Sequence, residues 1–297
     1  MDRPPICDYE GSDYQDRFWE QGGRAYEDAV EAVALKRLLP PGGQRMLELG
    51  AGAGRNTPRY ANFQQVTLVD YSTTQLQRAR QRLGGDPARY RYVAADIYRL
   101  PFAAGVFDAA TMIRTLHHMA EPEKALAQVR QALSAGAVFV LEYANKRNLK
   151  AVLRYWMRQQ AWSPFSPEPV EFAALNFDFH PAAVRRYLQD NRFSVQRQLT
   201  VSHFRVGLLK RALPLGLLVQ MDALAQHTGG LWQYTPSVFV RSQSFGEPQS
   251  AQPGAFFRCP ACGCEPLPDT PPELKCPSCG KVFPVVDGIY DFRMKGE

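Results

Sequence analysis

The sequence predicts an α/β protein: a doubly wound parallel sheet followed by a small metal-stapled module. Three observations carry that expectation. Strand-like and helix-like stretches alternate between residues 24 and 143 at the spacing of βαβ units. A glycine cluster, Gly50-Ala51-Gly52-Ala53-Gly54, stands where the first strand ends. Five of the six cysteines lie between Cys259 and Cys279, four of them as two Cys-x-x-Cys pairs.

The elements follow in order. Residues 24–39 (RAYEDAVEAVALKRLL) repeat apolar side chains at helical spacing, and Pro40-Pro41-Gly42-Gly43 stops them. A strand at 45–49 runs into the glycines, and a helix is expected to start at Asn56–Thr57, with Pro58 in its first turn. Residues 65–70 (QVTLVD) read as a second strand, and TTQLQRARQRL as a helix closed by Gly84-Gly85. Strands at 90–95 and 106–113, a helix over PEKALAQVRQAL and a strand at 137–143 complete the alternation. Beyond Tyr143 the rhythm breaks. A basic helix is expected at 145–162, a loop at 163–180, a helix opened by Pro181, a strand-like stretch at 193–204, apolar helices at 206–227 broken at Pro214, and a last strand at 237–242. GEPQSAQPGA, residues 246–255, reads as a linker, which leaves 1–245 as one domain and 256–297 as another.

Composition narrows the class. The 297 residues are 45% apolar and 11% aromatic, enough for a real core and unlike a disordered or fibrous chain. No apolar run approaches the roughly 20 residues that cross a bilayer. The start, MDRPPICDYEGSDYQDRFWE, has no apolar signal core, so a cytoplasmic location and unpaired thiols are expected. The net charge of +6 is uneven: residues 1–142 balance at 17 basic and 17 acidic, whereas 143–215 carry 12 basic against 4 acidic. Four metal-bound thiolates would bring the total to +4, which weakens any argument from charge alone for nucleic-acid binding.

Asp70 stands 20 residues after Gly50, at the end of the second strand. A carboxylate there can accept both hydroxyls of a ribose. That spacing fits a dinucleotide or another adenosyl ligand, but the glycines run G-x-G-x-G, with Glu48 just before them. ELGAGAG, VDYS, AADIYRLPFAAGVFDAA and TLHHMAEPEKALAQVRQAL, in register, resemble class I S-adenosylmethionine methyltransferases, closely over 40–142 and more loosely to 242. The nearest subgroup is similar to ubiquinone/menaquinone-biosynthesis methyltransferases. One departure is Ser134-Ala135-Gly136-Ala137, where that subgroup has a double glycine.

The resemblance implies a seven-stranded Rossmann-like sheet with a cap at 1–40 and an acceptor lid at about 143–180. It implies that Gly50 and Gly52 lie against the methionine part of the cofactor and that Glu48 orients the loop or holds the cofactor's amino group. Asp70 would bind the ribose, Tyr71 and Ile97 would flank adenine, Asp96 would accept from the adenine amino group, and Arg114 and Thr115 would face the methyl end. His117, His118 and His180 are the candidate catalytic groups, since a neutral imidazole can accept a proton near pH 7. Structural alternatives stand beside each, and His180 before Pro181 can equally cap a helix. Tyr14 and Trp19 are candidates to close over the cofactor. No Asn/Asp-Pro-Pro-aromatic tetrapeptide follows the fourth strand, where IRTLHH stands, which argues against the amino-methylating nucleic-acid branch.

Lys146, Arg147, Lys150, Arg154 and Arg158 recur at three- and four-residue steps, expected on one helix face with Trp156 and Trp162 nearby. Such a face suits an anionic acceptor, RNA, an acidic membrane surface, or solvent alone. In the tail, Cys259, Cys262, Cys276 and Cys279 match two zinc knuckles 13 residues apart, with iron as the rival metal and Cys264 outside the set. With KVFPVVDGIYDFRMK, the tail resembles the zinc-ribbon activator of certain tRNA and translation-factor methyltransferases. The expectation is a methyltransferase using S-adenosylmethionine and structural zinc on a small hydrophobic or anionic metabolite. RNA methylation and a cofactor-binding adaptor that recruits a protein through the ribbon are the alternatives.

Overall fold

The computed structural model describes residues 4–8, 10–11, 23–246 and 252–294. Its sheet is built from β1 (Gly43–Leu49), β2 (Phe63–Asp70), β3 (Tyr90–Ala94), β4 (Phe107–Met112), β5 (Leu133–Ala144), β8 (Phe193–Val201) and β9 (Ser237–Ser244), in the order β3-β2-β1-β4-β5-β9-β8. Strands β1 to β5 pair in parallel. The β9 strand runs antiparallel between β5 and β8, a departure from the all-parallel expectation. Its cause is the connection: helices after β8 bring the chain back at the same edge of the sheet, so β9 can only run downward.

Both faces of the sheet are covered, which is why the central strands are apolar on successive residues. Neighbouring side chains face opposite layers. Met46 and Leu68 pack with Val30 and Leu35 of α1 (Ala25–Leu38) and Leu218 of α7 (Leu215–Ala225). Leu47 and Val69 pack into the other layer, with Leu126 of α3 (Pro122–Ala132) and Leu188 of α5 (Pro181–Asp190). Helix α2 (Thr73–Leu83) begins at Ser72, whose hydroxyl accepts from Gln75 N, and ends at Gly84 with φ +100°.

Three expected elements came out differently. The helix expected at Asn56–Thr57 is a single 3-10 turn, Thr57–Tyr60, because β2 begins at Phe63 and leaves room for one turn. The expected loop 163–180 contains a hairpin, β6 (Val170–Ala173) with β7 (Asn176–Asp178). The basic helix is also shorter than expected: α4 is Leu149–Trp156, so Lys146 and Arg147 precede it. Lys146 is 1% exposed, its ammonium donating to Ser166 O, Ser166 Oγ and Glu168 O, so it does not join a solvated basic face.

The cysteine-bearing segment adds β10 (Glu273–Lys275), β11 (Val282–Val286) and β12 (Ile289–Asp291). β12 pairs in parallel with β3, placing Asp291 opposite Ala94 and extending the sheet to ten strands. A ring cluster backs this junction: Phe257 lies 6.1 Å from Phe102 and 5.1 Å from Phe292, ring centre to ring centre. Ala103 N donates to Phe256 O and Arg258 N to Pro101 O. The β3 edge, otherwise a row of unpaired amides and carbonyls, is thereby closed.

Candidate cofactor cleft and cysteine cluster

A cleft opens at the carboxyl ends of β1 to β4, where open α/β sheets bind ligands. Its floor is the glycine loop. Ala51 N donates to Val69 O, which ties the loop to β2. Gly50 has φ +67°, and a Cβ there would lie 2.0 Å from Thr115 Oγ1, so glycine is required on two counts. At Gly52 (φ +53°) a Cβ would meet nothing within 4 Å, leaving backbone open to the cleft.

Asp70 accepts from Gly52 N at 2.8 Å through Oδ2 and from Ser72 N at 2.9 Å through Oδ1. Each oxygen keeps lone-pair capacity toward the cleft. Burial pushes this carboxyl up, against backbone hydrogen bonds from Ser72, Gly52 and Tyr71. Tyr71, Ile97, Arg114, Thr115 and His118 line the same cleft, as Gly50 and Gly52 do.

Three expected residues sit behind the walls. Glu48 is 3% exposed and accepts from Thr57 Oγ1 at 2.6 Å, so it fixes the turn after the loop. Burial raises it to about 7. Asp96 is buried and caps the turn at Ile97–Arg99, accepting from Tyr98 N at 2.9 Å; the wall here is formed by Ala95, Ile97 and Tyr98. His117 does not line the cleft. Its ring packs 4.0 Å from that of His118, and burial, His118 and Arg114 push its pKa well down.

His118 is held by Nδ1 against Leu175 O of the β6–β7 turn at 3.0 Å. Burial lowers its pKa, so the ring is neutral at pH 7. His180 lies elsewhere. It caps α5, its Nδ1 accepting from Ala182 N at 3.2 Å, and lines a separate pocket with Arg147 and Arg185. Tyr14 and Trp19 lie outside the described residues.

Sequence reasoning missed the network that shapes the far wall. Glu31 on α1 is 0% exposed and binds two cleft arginines, Arg55 at 2.8 Å and Arg114 Nε at 2.7 Å. Burial opposes its charge, but Arg114 and Arg55 hold its pKa below the ordinary value. Arg114 adopts φ +55°, and its amide donates to the buried Glu142 at 2.8 Å. Left-handed backbone at a non-glycine costs about 1–3 kcal/mol and persists only where surrounding contacts enforce it. The chain start also contributes: Pro5, Ile6 and Cys7 line the cleft. No spacing rule relates these distant residues.

The four knuckle sulfurs lie within 4.8 Å of one another, with Cys259–Cys279 at 3.7 Å and Cys262–Cys276 at 3.6 Å. A tetrahedral Zn–S bond of about 2.3 Å requires sulfurs roughly 3.8 Å apart. The donor set therefore fits one such ion. Cys264 contributes no sulfur to it; its carbonyl accepts from Cys259 N at 2.9 Å.

Residues 47–141 match the family described as the methyltransferase domain. An O-methyltransferase of Penicillium expansum is 37% identical over 135 residues, 42% of this chain and 48% of that protein. A demethylmenaquinone methyltransferase of Clavibacter sepedonicus is 35% identical over 116 residues, 38% of this chain and 47% of that protein. The chain thus spans about half the length of these curated relatives. Among solved structures, an S-adenosylmethionine-dependent methyltransferase from Mesorhizobium loti superposes with TM-score 0.53 at 19% identity, covering 74% of this chain and all of that one. A chain from a Haloferax volcanii complex of a methyltransferase activator with a methyltransferase gives 0.53 at 16% identity, covering 79% and 95%. Among the described residues no helix is long and apolar enough to cross a membrane. The matched segment, about a third of the chain, runs from β1 to β5 and includes the glycine loop, Asp70 and Arg114; in this stretch the chain is similar to methyltransferase domains, and the sheet that carries it is Rossmann-like.

Proposed function

We propose that this protein transfers the methyl group of S-adenosylmethionine to a small hydrophobic or anionic metabolite, and that residues 256–297 form a zinc ribbon joined by a linker at 246–255 to a catalytic domain at 1–245. The observation that carries the reading is the convergence of Gly50, Gly52, Asp70, Tyr71 and Ile97 on one cleft at the carboxyl edge of the sheet. Bound S-adenosylmethionine supplies an electrophilic methyl group on a sulfonium. The chain's task is then alignment and, where the acceptor needs it, proton removal.

In this reading the open backbone at Gly52 lies beside the methionine moiety, Asp70 accepts from the ribose hydroxyls, and Tyr71 and Ile97 flank the adenine. Arg114, Thr115 and His118 face the acceptor side. His118, neutral and anchored through Nδ1 against Leu175, is the group placed to take an acceptor proton. Glu48 and Asp96 position the walls, and His117 and His180 stay outside the chemistry. The O-methyltransferase and demethylmenaquinone methyltransferase relatives support a small-molecule acceptor. Four thiolates from Cys259, Cys262, Cys276 and Cys279 would hold zinc as a closed structural site.

The test is to incubate the protein and methyl-labelled S-adenosylmethionine with a cell extract and to separate solvent-extractable metabolites, RNA and protein. Label is expected in the metabolite fraction. Label confined to RNA or protein overturns the acceptor class; no transfer by protein that binds the cofactor overturns the activity.

A further inference from the structure

β5 and β8 end, and β9 begins, at the edge of the sheet where the cleft opens. The insertions 145–180 and 202–236 therefore both leave and rejoin the sheet at that edge, with α7 also packing on the sheet face through Leu218. All but three of the exposed large apolar side chains among the described residues lie on these two insertions; the others are Phe245, Val282 and Val286. They are arranged as faces. On α4, Leu149, Leu153 and Trp156 follow one another at helical spacing and are 56%, 44% and 68% exposed. On α7, Leu217, Met221 and Leu224 do the same. Leu231 and Trp232, 88% and 62% exposed, follow α7 and meet the start of α4, since Leu149 N donates to Tyr234 O and the Trp232 ring packs on Tyr234. A soluble surface rarely gathers so much apolar area without a partner.

Charge identifies the partner. The two insertions hold eight basic and four acidic side chains, and with Lys146 and Asp222 buried the surplus of positive charge remains. A second feature sits at the edge of the apolar rim: a pocket lined by Arg147, His180, Arg185, Arg186 and Leu231. Arg147 is set there by Tyr234, bonding its hydroxyl at 3.0 Å and stacking 4.9 Å over its ring. Among the described residues, the neutral Gln198 is the one hydrogen-bond partner of Arg185. The rim also touches the cleft walls. Leu175 of the β6–β7 hairpin holds His118, and Lys210 of α6 (Gly207–Ala212) bonds Glu27, one helical turn from the Glu31 that binds Arg55 and Arg114.

We infer that this rim is a membrane-docking surface: the apolar faces of α4, α7 and the Leu231–Trp232 loop enter the interface of an anionic bilayer, with the Arg147–Arg185 pocket receiving a lipid phosphate. Apolar insertion and cationic attraction together are what bind peripheral proteins to acidic membranes. Docked this way, the cleft faces the bilayer, and an acceptor dissolved in lipid reaches the methyl-transfer site without crossing water. That consequence rests on the proposed function; the docking itself does not.

The test is co-sedimentation of the zinc-loaded full chain with vesicles of phosphatidylcholine, with and without phosphatidylglycerol. Binding is expected to the anionic vesicles and to weaken with salt. The double substitution Trp156→Ser, Leu224→Ser should lower it about tenfold, and Arg185→Glu should lower it on anionic vesicles alone. Unchanged S-adenosylhomocysteine affinity in both variants shows that the fold and the cofactor reading stand, whatever the vesicles do. Absence of binding to anionic vesicles, or binding indifferent to these substitutions, overturns the proposal. So does a stable dimer in solution that the double substitution dissociates, which would make the rim an interface between copies, or salt-sensitive RNA binding that displaces the vesicles.

Discussion

Replacing Arg293 with Met tests whether the C-terminal segment shapes the cofactor cleft or merely leans on it. The Arg293 side chain is 4% exposed and spans three parts of the chain. It pairs with Asp291 at 2.7 and 2.9 Å, meets Glu10 of the N-terminal segment at 3.0 Å, and donates to the carbonyl of the cleft residue Tyr71 at 3.1 Å. Burial works against Glu10, yet hydrogen bonds from Thr74 and Thr73 bring it down to about 2, so it is charged at neutral pH. Breaking a wholly buried ion pair costs about 3–5 kcal/mol. Here the partners, 36% and 25% exposed, can rehydrate, which reduces the expected stability loss to about 2 kcal/mol. Losing the anchor on Tyr71 should weaken cofactor binding by about 1 kcal/mol, near fivefold. Calorimetric titration with S-adenosylhomocysteine and a thermal melt, both on zinc-loaded protein, measure the two effects. A lowered melting temperature with unchanged affinity would refute the coupling and leave Arg293 a staple only.

Three further outcomes are expected. Gly50→Ala adds about 1–2 kcal/mol of left-handed backbone strain and drives a methyl group into Thr115, so cofactor affinity should fall more than tenfold by the same titration. Glu48, raised to about 7 by burial, keeps a proton in the folded chain that the unfolded chain has lost above its ordinary 4.5. Stability should therefore fall as pH rises from 4.5 to 7, by up to about 3 kcal/mol, and Glu48→Gln should flatten that slope in denaturant titrations. Cys276→Ser should abolish zinc in elemental analysis and lower the melting temperature, because the segment packs Phe257 and Phe292 against the main core, whereas Cys264→Ser should retain the metal.

The local vocabulary of the fold was legible because it is written in neighbouring residues. Helix α2 was bounded to the residue by its apolar period and Gly84. Gly50 and Asp70 announced a cleft because one turn and the next strand bring them together. Glu48, Asp96 and His117 were expected at the ligand, and each lies behind a wall, because a motif fixes position along the chain but not which way a side chain turns. The Glu31–Arg55–Arg114 network had no such signature, since its members lie on different elements and meet only when α1 packs on the sheet. The hairpin at 170–178 was hidden by three flanking prolines and by short strands of mixed polarity.

By itself the sequence determined the strand–helix alternation, the glycine loop with its acid, and the four cysteine donors, all of which depend on spacings of a few residues to a few tens. Tertiary structure alone decided that β9 runs antiparallel, that β12 closes the β3 edge, and that Arg293 reaches Tyr71. It also decided that the loop after α7 meets the start of α4, Tyr234 O accepting from Leu149 N. Such pairings join residues separated by as many as 222 positions, and their free energy comes from area and charge brought together only when the layers pack.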